Sequence, residues 1–517
     1  MEILTPGGGA NRTETGDRLA AGEVHDDAFA AHALLAPDGE VQVVPDRELD
    51  GARLNTNGRA WQPTGDGWLV LTDSPRDLSR GDSLRPRDAR RGGERPLAWQ
   101  YMASASFSPL RHRSFALSLI SSFVSSTGTW MQSVALGVFL TVTTHNTIWL
   151  GLLTVAAWTP SLIGSPTGGV IADRWNRQHW IQACNTVMAI SASVLAITEL
   201  THHLTPRIAV YLAVIEGFAS SASWAAWQSL LPDLVDRDEV LAAVSLSSAQ
   251  FNLGRVIGPL FAAVALALGS PGICFALNAA SFVFVVVMFS FVRTPPRAKV
   301  TTKIRPWAET VAGARQAWAV RGCRYPILAI AMVAMIVGPF MALIPAMAID
   351  VLHAGKSGTP WLVFGQGVGA VIGALTLPAL ARRTSRIYVL RASLATLVVA
   401  EAAYGLAPNL VWAVLALVLL GGAYVGTLTG LNTSVQLHAP RNERSRILAL
   451  YTLSLSLSYP LGALVQAAIA KDWGVRHVTE TAAALLGIVF VAVTVAHPQF
   501  WQEIAVTPME PPILLAD

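Results

Sequence analysis

The sequence predicts an all-α integral membrane protein: twelve transmembrane helices in two six-helix bundles, preceded by a polar N-terminal extension. Three observations predict it. Charged residues make up only 14% of the 517-residue chain, against 52% hydrophobic, where a soluble protein carries about 25% charged. The charge also collects at one end, with 12 Lys+Arg and 17 Asp+Glu in residues 1–101 and only 25 and 16 in residues 102–517. From Ser114 onward, apolar stretches of about 20–28 residues recur, each long enough to cross a ~30 Å hydrocarbon core as a helix.

The elements follow in order. Residues 1–105 read as a polar, disordered cytoplasmic extension, rich in Gly, Asp and Pro, with 12 Arg and no Lys up to residue 101. Val41–Val44 and Trp68–Leu71 are short patches of strand character, too few to promise a core, though a small folded domain is the alternative. The segment 76–95 reads as a basic linker, and Met102, just before the apolar region, is a second candidate start of translation. Met1 to Gly9 have neither the basic nor the apolar region of a signal peptide.

The first bundle, 106–292, takes spans 114–141, 148–172, 179–200, 207–230, 241–268 and 272–292. A cytoplasmic linker, 293–324, follows. Within it, Trp307–Val320 suits either an amphipathic surface helix with Arg315 on its polar side or a passive connection. The second bundle, 325–500, takes spans 325–350, 359–381, 387–406, 409–434, 445–470 and 477–497. A tail, 501–517, ends the chain. Gly and Pro inside these stretches are compatible with membrane helices.

Orientation follows from the basic residues in the short loops. One set holds Arg174, Arg177, Arg237, eight residues from Arg293 to Arg324, then Arg382, Arg383, Arg386, Arg441, Arg444 and Arg446. The other holds only Arg207, Lys356, Lys471 and Arg476. The positive-inside rule places the first set in the cytoplasm, and with it both termini, as an even number of spans requires. The expected location is the cell (cytoplasmic) membrane, multi-pass.

The halves resemble one another. GSPTGGVIADRWNR from Gly164 aligns with GALTLPALARRTSR from Gly373, and a second alignment sets Glu239 on Glu443 and Gly258 on Gly462. Parallel repeats of this kind are a transporter feature, with the substrate site between the halves near the midplane.

Gly168–Gln178 reads GGVIADRWNRQ, between spans two and three. Further segments are GTWMQSVALGVFL from Gly128, LLPDLVDRDE from Leu230, FNLGRVIGPL from Phe251 and CFALNAASFV from Cys274. Together they resemble the major facilitator superfamily, and within it the enterobactin-exporter-like, or transmembrane secretion effector, branch, over about Ser108–His497. The resemblance implies a two-bundle, twelve-helix fold working by alternating access. It also implies that Gly169, Asp173, Arg174 and Arg177 form a conformational latch favouring the outward-open state. Gly254, Gly258 and Pro259, in GRVIGP, resemble an antiporter motif; Ala262 and Ala263 stand where that motif closes with glycines, and plain helix packing is the other reading. This chain departs from the branch at Trp227, where an Arg is usual, and at Arg382, where an Asp is usual.

Ionisable residues at membrane depth are costly and are functional candidates. Glu216 in span four, Arg255 in span five and Glu401 in span nine are the coupling candidates. Glu216 and Arg255 are expected to pair, either as a switch broken by a proton or substrate or as a static tie between helices. Trp130, Gln132, Trp224 and Trp227 are cavity candidates. An aromatic, weakly charged cavity suits an amphiphilic organic compound.

Several classes are excluded. No HExxH or phosphate-loop pattern occurs, so neither a membrane enzyme nor an ATP-driven pump is expected. Cys184, Cys274 and Cys323 lack disulfide or zinc spacing, and no cofactor or metal is expected. Basic residues lie in loops between apolar runs, which argues against nucleic acid as a partner. The expected function is secondary active export of a small amphiphilic organic compound (drug, siderophore or metabolite) by proton antiport. Expected partners are the substrate, protons and the lipid bilayer, with the chain a monomer. Solute import by the same fold is the alternative, and a transporter-like sensor a more distant one.

Overall fold

The computed structural model describes residues 107–294, 318, 320–440 and 443–505, together with six short strands between His32 and Thr72. The strands form two antiparallel sheets. β1 (His32–Leu35) pairs with β2 (Val41–Val44). β3 (Glu48–Leu49), β4 (Ala52–Leu54), β5 (Ala60–Thr64) and β6 (Gly67–Thr72) follow as a four-stranded meander. The composition suggests a segment without such pairing, yet β2 and β6 fall on the two apolar patches. The Thr64↔Gly67 register leaves Gly65-Asp66 as a two-residue connection, a spacing and chemistry that favour a hairpin.

The rest of the described chain is helical. A short 3-10 turn, Ser108–Arg111, precedes α1 (Arg113–Thr144). Then come α2 (Ile148–Trp158), α3 (Ser161–Arg174), α4 (Arg177–Leu200), α5 (Pro206–Leu230), α6 (Val240–Leu268) and α7 (Pro271–Phe289). The second half holds α8 (Arg321–Ile336), α9 (Phe340–Ala346), α10 (Gly355–Arg383), α11 (Arg386–Gly405), α12 (Leu410–His438), α13 (Arg444–Trp473), α14 (Val475–Ala496) and α15 (Pro498–Ala505). The expected spans agree with these bounds to within a few residues. The second span divides into α2 and α3 around Thr159-Pro160. The seventh divides at Gly338-Pro339 and ends in a π turn, Met347–Val351. Proline removes a backbone donor, which explains both breaks. The helix starts are written in the sequence: the side chains of Asn176, Thr205, Ser270, Ser385 and Asn409 each accept from a first-turn backbone N–H.

Eleven helical segments are long and apolar enough to cross a membrane among the described residues. The eleven do not include α1, whose 32 residues are long enough but more polar. Its polarity has an inward cause: Ser118, Ser121, Thr127, Gln132 and Thr141 are buried. Two expectations meet the limits of the described residues. Of the amphipathic segment Trp307–Val320, only Trp318 and Val320 are described. At the other end, α15 extends the fold beyond residue 500, with Trp501 and Ile504 buried. The expected tail thus begins as a docked helix, and its remainder, 506–517, lies outside the described residues.

The internal repeat appears in the packing. Gly164 of α3 lies so close to Phe218 and Ser221 of α5 that a Cβ there would clash, and Gly373 of α10 stands likewise against Gly422 of α12. Gly258 of α6 meets Thr127 and Trp130 of α1, as Gly462 of α13 meets Met335 of α8. In each half the second span packs on the fourth and the fifth on the first, at the positions the alignments pair.

The bundle has a more basic end, with Arg174, Arg177, Arg237, Arg383 and Arg446, and an opposite end with His145, His202, Arg207, Lys356, Lys471 and Arg476. Apolar packing differs between them. A single core joins the opposite-end part of the first half (Met131, Phe139, Leu150, Ala262 and Phe275) to the second half, where it runs the length of the bundle from Ile344, Leu362 and Ala467 to Cys323, Val435 and Ile447. At the basic end a separate core of Phe115, Ile181, Trp227, Leu234 and Phe289 belongs to the first half alone. The described bonds between halves follow the same division. Thr147 donates to the Ala467 carbonyl at 2.6 Å, and His145 lies 3.4 Å from Asp350 at the opposite end. Arg255 bonds Gln366 at mid-depth.

Candidate functional site

Three helices of the first half bring polar side chains together inside the membrane region. Gln132 of α1 is 3% exposed. Its Nε2 donates to Glu216 Oε2 of α5 at 2.5 Å, and its Oε1 accepts from Asn278 Nδ2 of α7 at 2.9 Å. Asn278 is held in turn by the Ser281 hydroxyl, which donates to its Oδ1 at 3.0 Å. Gly128 permits this approach, because a Cβ there would strike Asn278 and Ser281. A buried polar group needs a partner, and each amide here satisfies its neighbour. Glu216 Oε1 makes no close hydrogen bond among the described residues, though the Ser191 side chain of α4 stands beside the carboxyl. Glu216 lies ten residues into α5, about 15 Å from the opposite end.

The expected pairing of Glu216 with Arg255 is corrected: each has another partner. Arg255 Nη2 donates to Gln366 Oε1 of α10 at 2.9 Å, crossing from one half to the other. Its guanidinium also stands 5.2 Å from the centre of the Trp130 ring, a cation–π arrangement. Close packing aims it there. Gly254 and Gly258 let α6 lie against α1 at Ser126–Met131, and Gly367 of α10 meets the backbone of Arg255 and Val256. The GRVIGP motif thus packs α6 between two neighbours, and Pro259 is buried in it.

An aromatic run extends from Arg255 along the first half. The Trp130 and Phe251 ring centres are 6.3 Å apart, and Phe251 and Trp224 are 5.9 Å apart. Trp224 is 44% and Phe251 39% exposed, so the run ends in accessible surface. Phe251 escaped the sequence reading; its place one helical turn before Arg255 was the available signal. Across the interface, Trp158 of α2 meets Tyr459 of α13 edge-on at 5.2 Å. Two cavity candidates are corrected. Trp227 is 5% exposed and packs on Phe289, with Nε1 donating to Ser247 Oγ at 3.3 Å, inside the basic-end core. Gln132 belongs to the Glu216 network. In both, the polar atom found a partner within the bundle.

Glu401 of α11 is 1% exposed, and its Oε2 has no hydrogen-bond partner among the described residues. Tyr424 of α12 lies within electrostatic reach of both Glu401 and Arg255. Glu401 does not join the Glu216 network, which belongs to the other half.

At the basic end, Arg177 is 8% exposed and ties α4 to the end of α5. Its Nη1 donates to Asp233 Oδ2 at 2.7 Å and to the Ser229 carbonyl at 2.6 Å. Arg174 is exposed, and the Asp173 side chain lies outside the described residues. Close packing rests on one of the two adjacent glycines: a Cβ on Gly168 would strike the Ala222 backbone, whereas Gly169 has open space.

Among the described residues, His112, Asp236 and Glu239 carry ligand-type atoms within 4.8 Å of one another. His112 Nε2 is 2.6 Å from Glu239 Oε2 and 3.8 Å from Asp236 Oδ2. The contact ties the start of α1 to the start of α6. The sequence hid it, because 127 residues separate His112 from Glu239.

The family model described as "Transmembrane secretion effector" matches residues 104–516. A staphyloferrin A transporter of Staphylococcus aureus is 29% identical over 29% of this chain and 38% of its own length. Enterobactin exporters of Citrobacter koseri and of Escherichia coli O127:H6 are 25% and 26% identical, each over 66% of this chain and 81% of its own length. Among solved structures, a bacterial homologue of the human lysosomal transporter Spinster, inward-facing and unoccupied, superposes with a TM-score of 0.62 at 14% identity, covering 78% of this chain and all of that one. The nucleoside transporter NupG superposes with a TM-score of 0.59 at 16% identity, covering 74% and 99%. At such identities the structures speak to the fold alone.

Proposed function

The chain belongs to the transmembrane secretion effector family of the major facilitator superfamily, multi-pass membrane transporters of small molecules and not enzymes, and from that premise we propose that it exports an amphiphilic organic compound by proton antiport. The cargo is of the drug, siderophore or metabolite kind. The naming of two relatives as enterobactin exporters supports export and a siderophore-like cargo. With α1 as the twelfth span, the basic end and both termini face the cytoplasm, and the chain acts as a monomer.

The observation that carries this reading is the one-sided joining of the halves: a shared core towards one end and a separate first-half core at the basic end. On the proposed orientation this is an inward-facing state. Cargo enters from the cytoplasmic side and reaches the rings of Trp224, Phe251 and Trp130. Rocking of one bundle against the other then closes the basic end and opens the opposite one. In the closed state the segment Gly169–Arg177, the end of α3 and the start of α4, bridges the bundles. In the inward-facing state the latch is released, which agrees with the exposure of Arg174.

Coupling is assigned to Glu216. The neutral carboxyl suits its buried position, and the carboxylate draws on Gln132 as donor. Protonation from outside and deprotonation towards the cytoplasm change the Gln132–Asn278 chain between α1, α5 and α7. That biases the access equilibrium in opposite senses for proton and cargo. Glu401 is the second ionisable group, in the other half.

Uptake of fluorescent amphiphiles into inverted membrane vesicles tests the reading. An imposed proton gradient should drive accumulation in vesicles carrying the protein, and Asp173→Asn should abolish it. Accumulation that ignores the gradient, or none for any amphiphile, contradicts proton-driven export.

A further inference from the structure

We propose that Arg255 and Gln366 together form a recognition point for an oxyanion on the transported compound, so that aromatic organic anions are the preferred cargo. The inference deepens the export reading and rests on it for the word cargo, but not for the site. It starts from two donors. Arg255 carries five N–H donors and no acceptor. Its Nη2 is engaged by Gln366 Oε1 at 2.9 Å, while its Nε is buried without a hydrogen-bond partner among the described residues. Gln366 Nε2 is likewise buried without one, in a residue 1% exposed. Two unpaired donors, one cationic and one from each bundle, thus lie in one bonded pair at mid-depth.

Unpaired buried donors are costly, and among the described residues no carboxylate is paired with the guanidinium: Glu216 is engaged by Gln132. An arriving carboxylate or phenolate oxygen would accept from both donors. The neighbouring rings supply the rest of the chemistry. Trp130 lies under the guanidinium at 5.2 Å, and Phe251 and Trp224 continue the aromatic surface to accessible ground. A flat aromatic ring would lie along that surface with its anionic group at Arg255 once the two buried donors are uncovered. Because the two donors come from different bundles, an oxyanion held by both would link ligand binding to the relation between the bundles.

The test uses the purified full-length chain and radiolabelled salicylate, with neutral salicylamide as competitor. The pair differs in carrying a carboxylate or an amide. Salicylate should bind at least about tenfold more tightly, the size expected of a charge-assisted hydrogen bond. Arg255→Gln should erase that preference. Gln366→Glu is the second variant: it keeps the side-chain length and the contact across the bundles but supplies its own carboxylate to Arg255. It should therefore exclude salicylate while leaving the protein folded by thermal unfolding.

Equal binding of the two compounds, no binding of salicylate, or a preference that survives in folded Arg255→Gln or Gln366→Glu overturns the proposal. Gradient-driven export of neutral amphiphiles without any anion preference would sink the oxyanion site and leave export standing. Arg255-dependent salicylate binding in a protein without gradient-driven transport would do the reverse.

Discussion

Glu216 takes its hydrogen bond from Gln132, not from Arg255: the Gln132 amide donates to Glu216 Oε2 at 2.5 Å, inside one bundle. A carboxyl held by a neutral amide is freer to change protonation than one locked to a guanidinium, because no buried cation is stranded when it becomes neutral. The carboxyl and the guanidinium therefore serve different contacts, the first within the first half and the second across the halves.

Glu216→Gln should therefore abolish proton-coupled transport while expression and thermal stability stay near wild type. The glutamine keeps a polar group of the same size beside Gln132. Transport rates in energised vesicles, set beside unfolding temperatures, check it. Unchanged transport would remove Glu216 from the coupling mechanism.

Gln132→Leu should destabilise the fold by roughly 1–3 kcal/mol, the cost of leaving buried groups unpaired. It strips partners from Glu216 and Asn278 together. Unfolding of the detergent-purified protein reads the effect, and an unchanged midpoint would show that the network reorganises without cost.

Two adjacent glycines should respond in opposite ways. Gly168→Ala pushes a methyl group into the Ala222 backbone and should cost about 1–3 kcal/mol through overpacking. Gly169→Ala meets open space and should leave the unfolding midpoint unchanged. If Gly169 serves the latch, its substitution should appear in transport and not in stability.

Arg177→Ala should loosen the basic end of the first bundle by about 1–2 kcal/mol. It leaves Asp233, about one-third exposed, and the Ser229 carbonyl without this partner. Thermal unfolding checks the direction, and Arg177→Lys should recover part of the loss by restoring the charge without the two-pronged geometry.

The proposed inward-facing state predicts which ends can be tied. With Cys184, Cys274 and Cys323 replaced by Ala, cysteines at Thr147 and Ala467 should be tied by a short bifunctional thiol cross-linker, since the native Thr147 hydroxyl lies 2.6 Å from the Ala467 carbonyl. The tied protein should stop transporting. Continued transport by fully cross-linked protein would contradict alternating access about this contact.

Much of the fold was legible because membrane helices carry their signal locally. Length and apolarity marked eleven spans to within a few residues, Asn, Ser and Thr marked helix starts, and basic loops marked one end. The repeat was legible because glycines at helix crossings are fixed by backbone approach: Gly164 and Gly373, like Gly258 and Gly462, do the same work in each half. Side-chain partners were not. Sequence shows that Glu216 and Arg255 are ionisable and deep, but the direction of each depends on helix rotation. Gln132 drew the first and Gln366 the second. Trp227 illustrates the same difficulty: a tryptophan near the end of a span suits a cavity wall or a core, and the hydroxyl of Ser247 decided for the core. Of the strands between His32 and Thr72, only β2 and β6 fell on the two apolar patches, the others being too short or too polar to stand out, and α15 was hidden by its shortness.

Proton release on cargo entry tests antiport most directly. In inverted vesicles holding a respiration-driven pH gradient, reported by a pH-sensitive dye, a transported amphiphile is added. The account predicts immediate partial collapse of the gradient with the wild-type protein and none with Glu216→Gln. Cargo entry that leaves the gradient intact, or an equal collapse in both proteins, would contradict it.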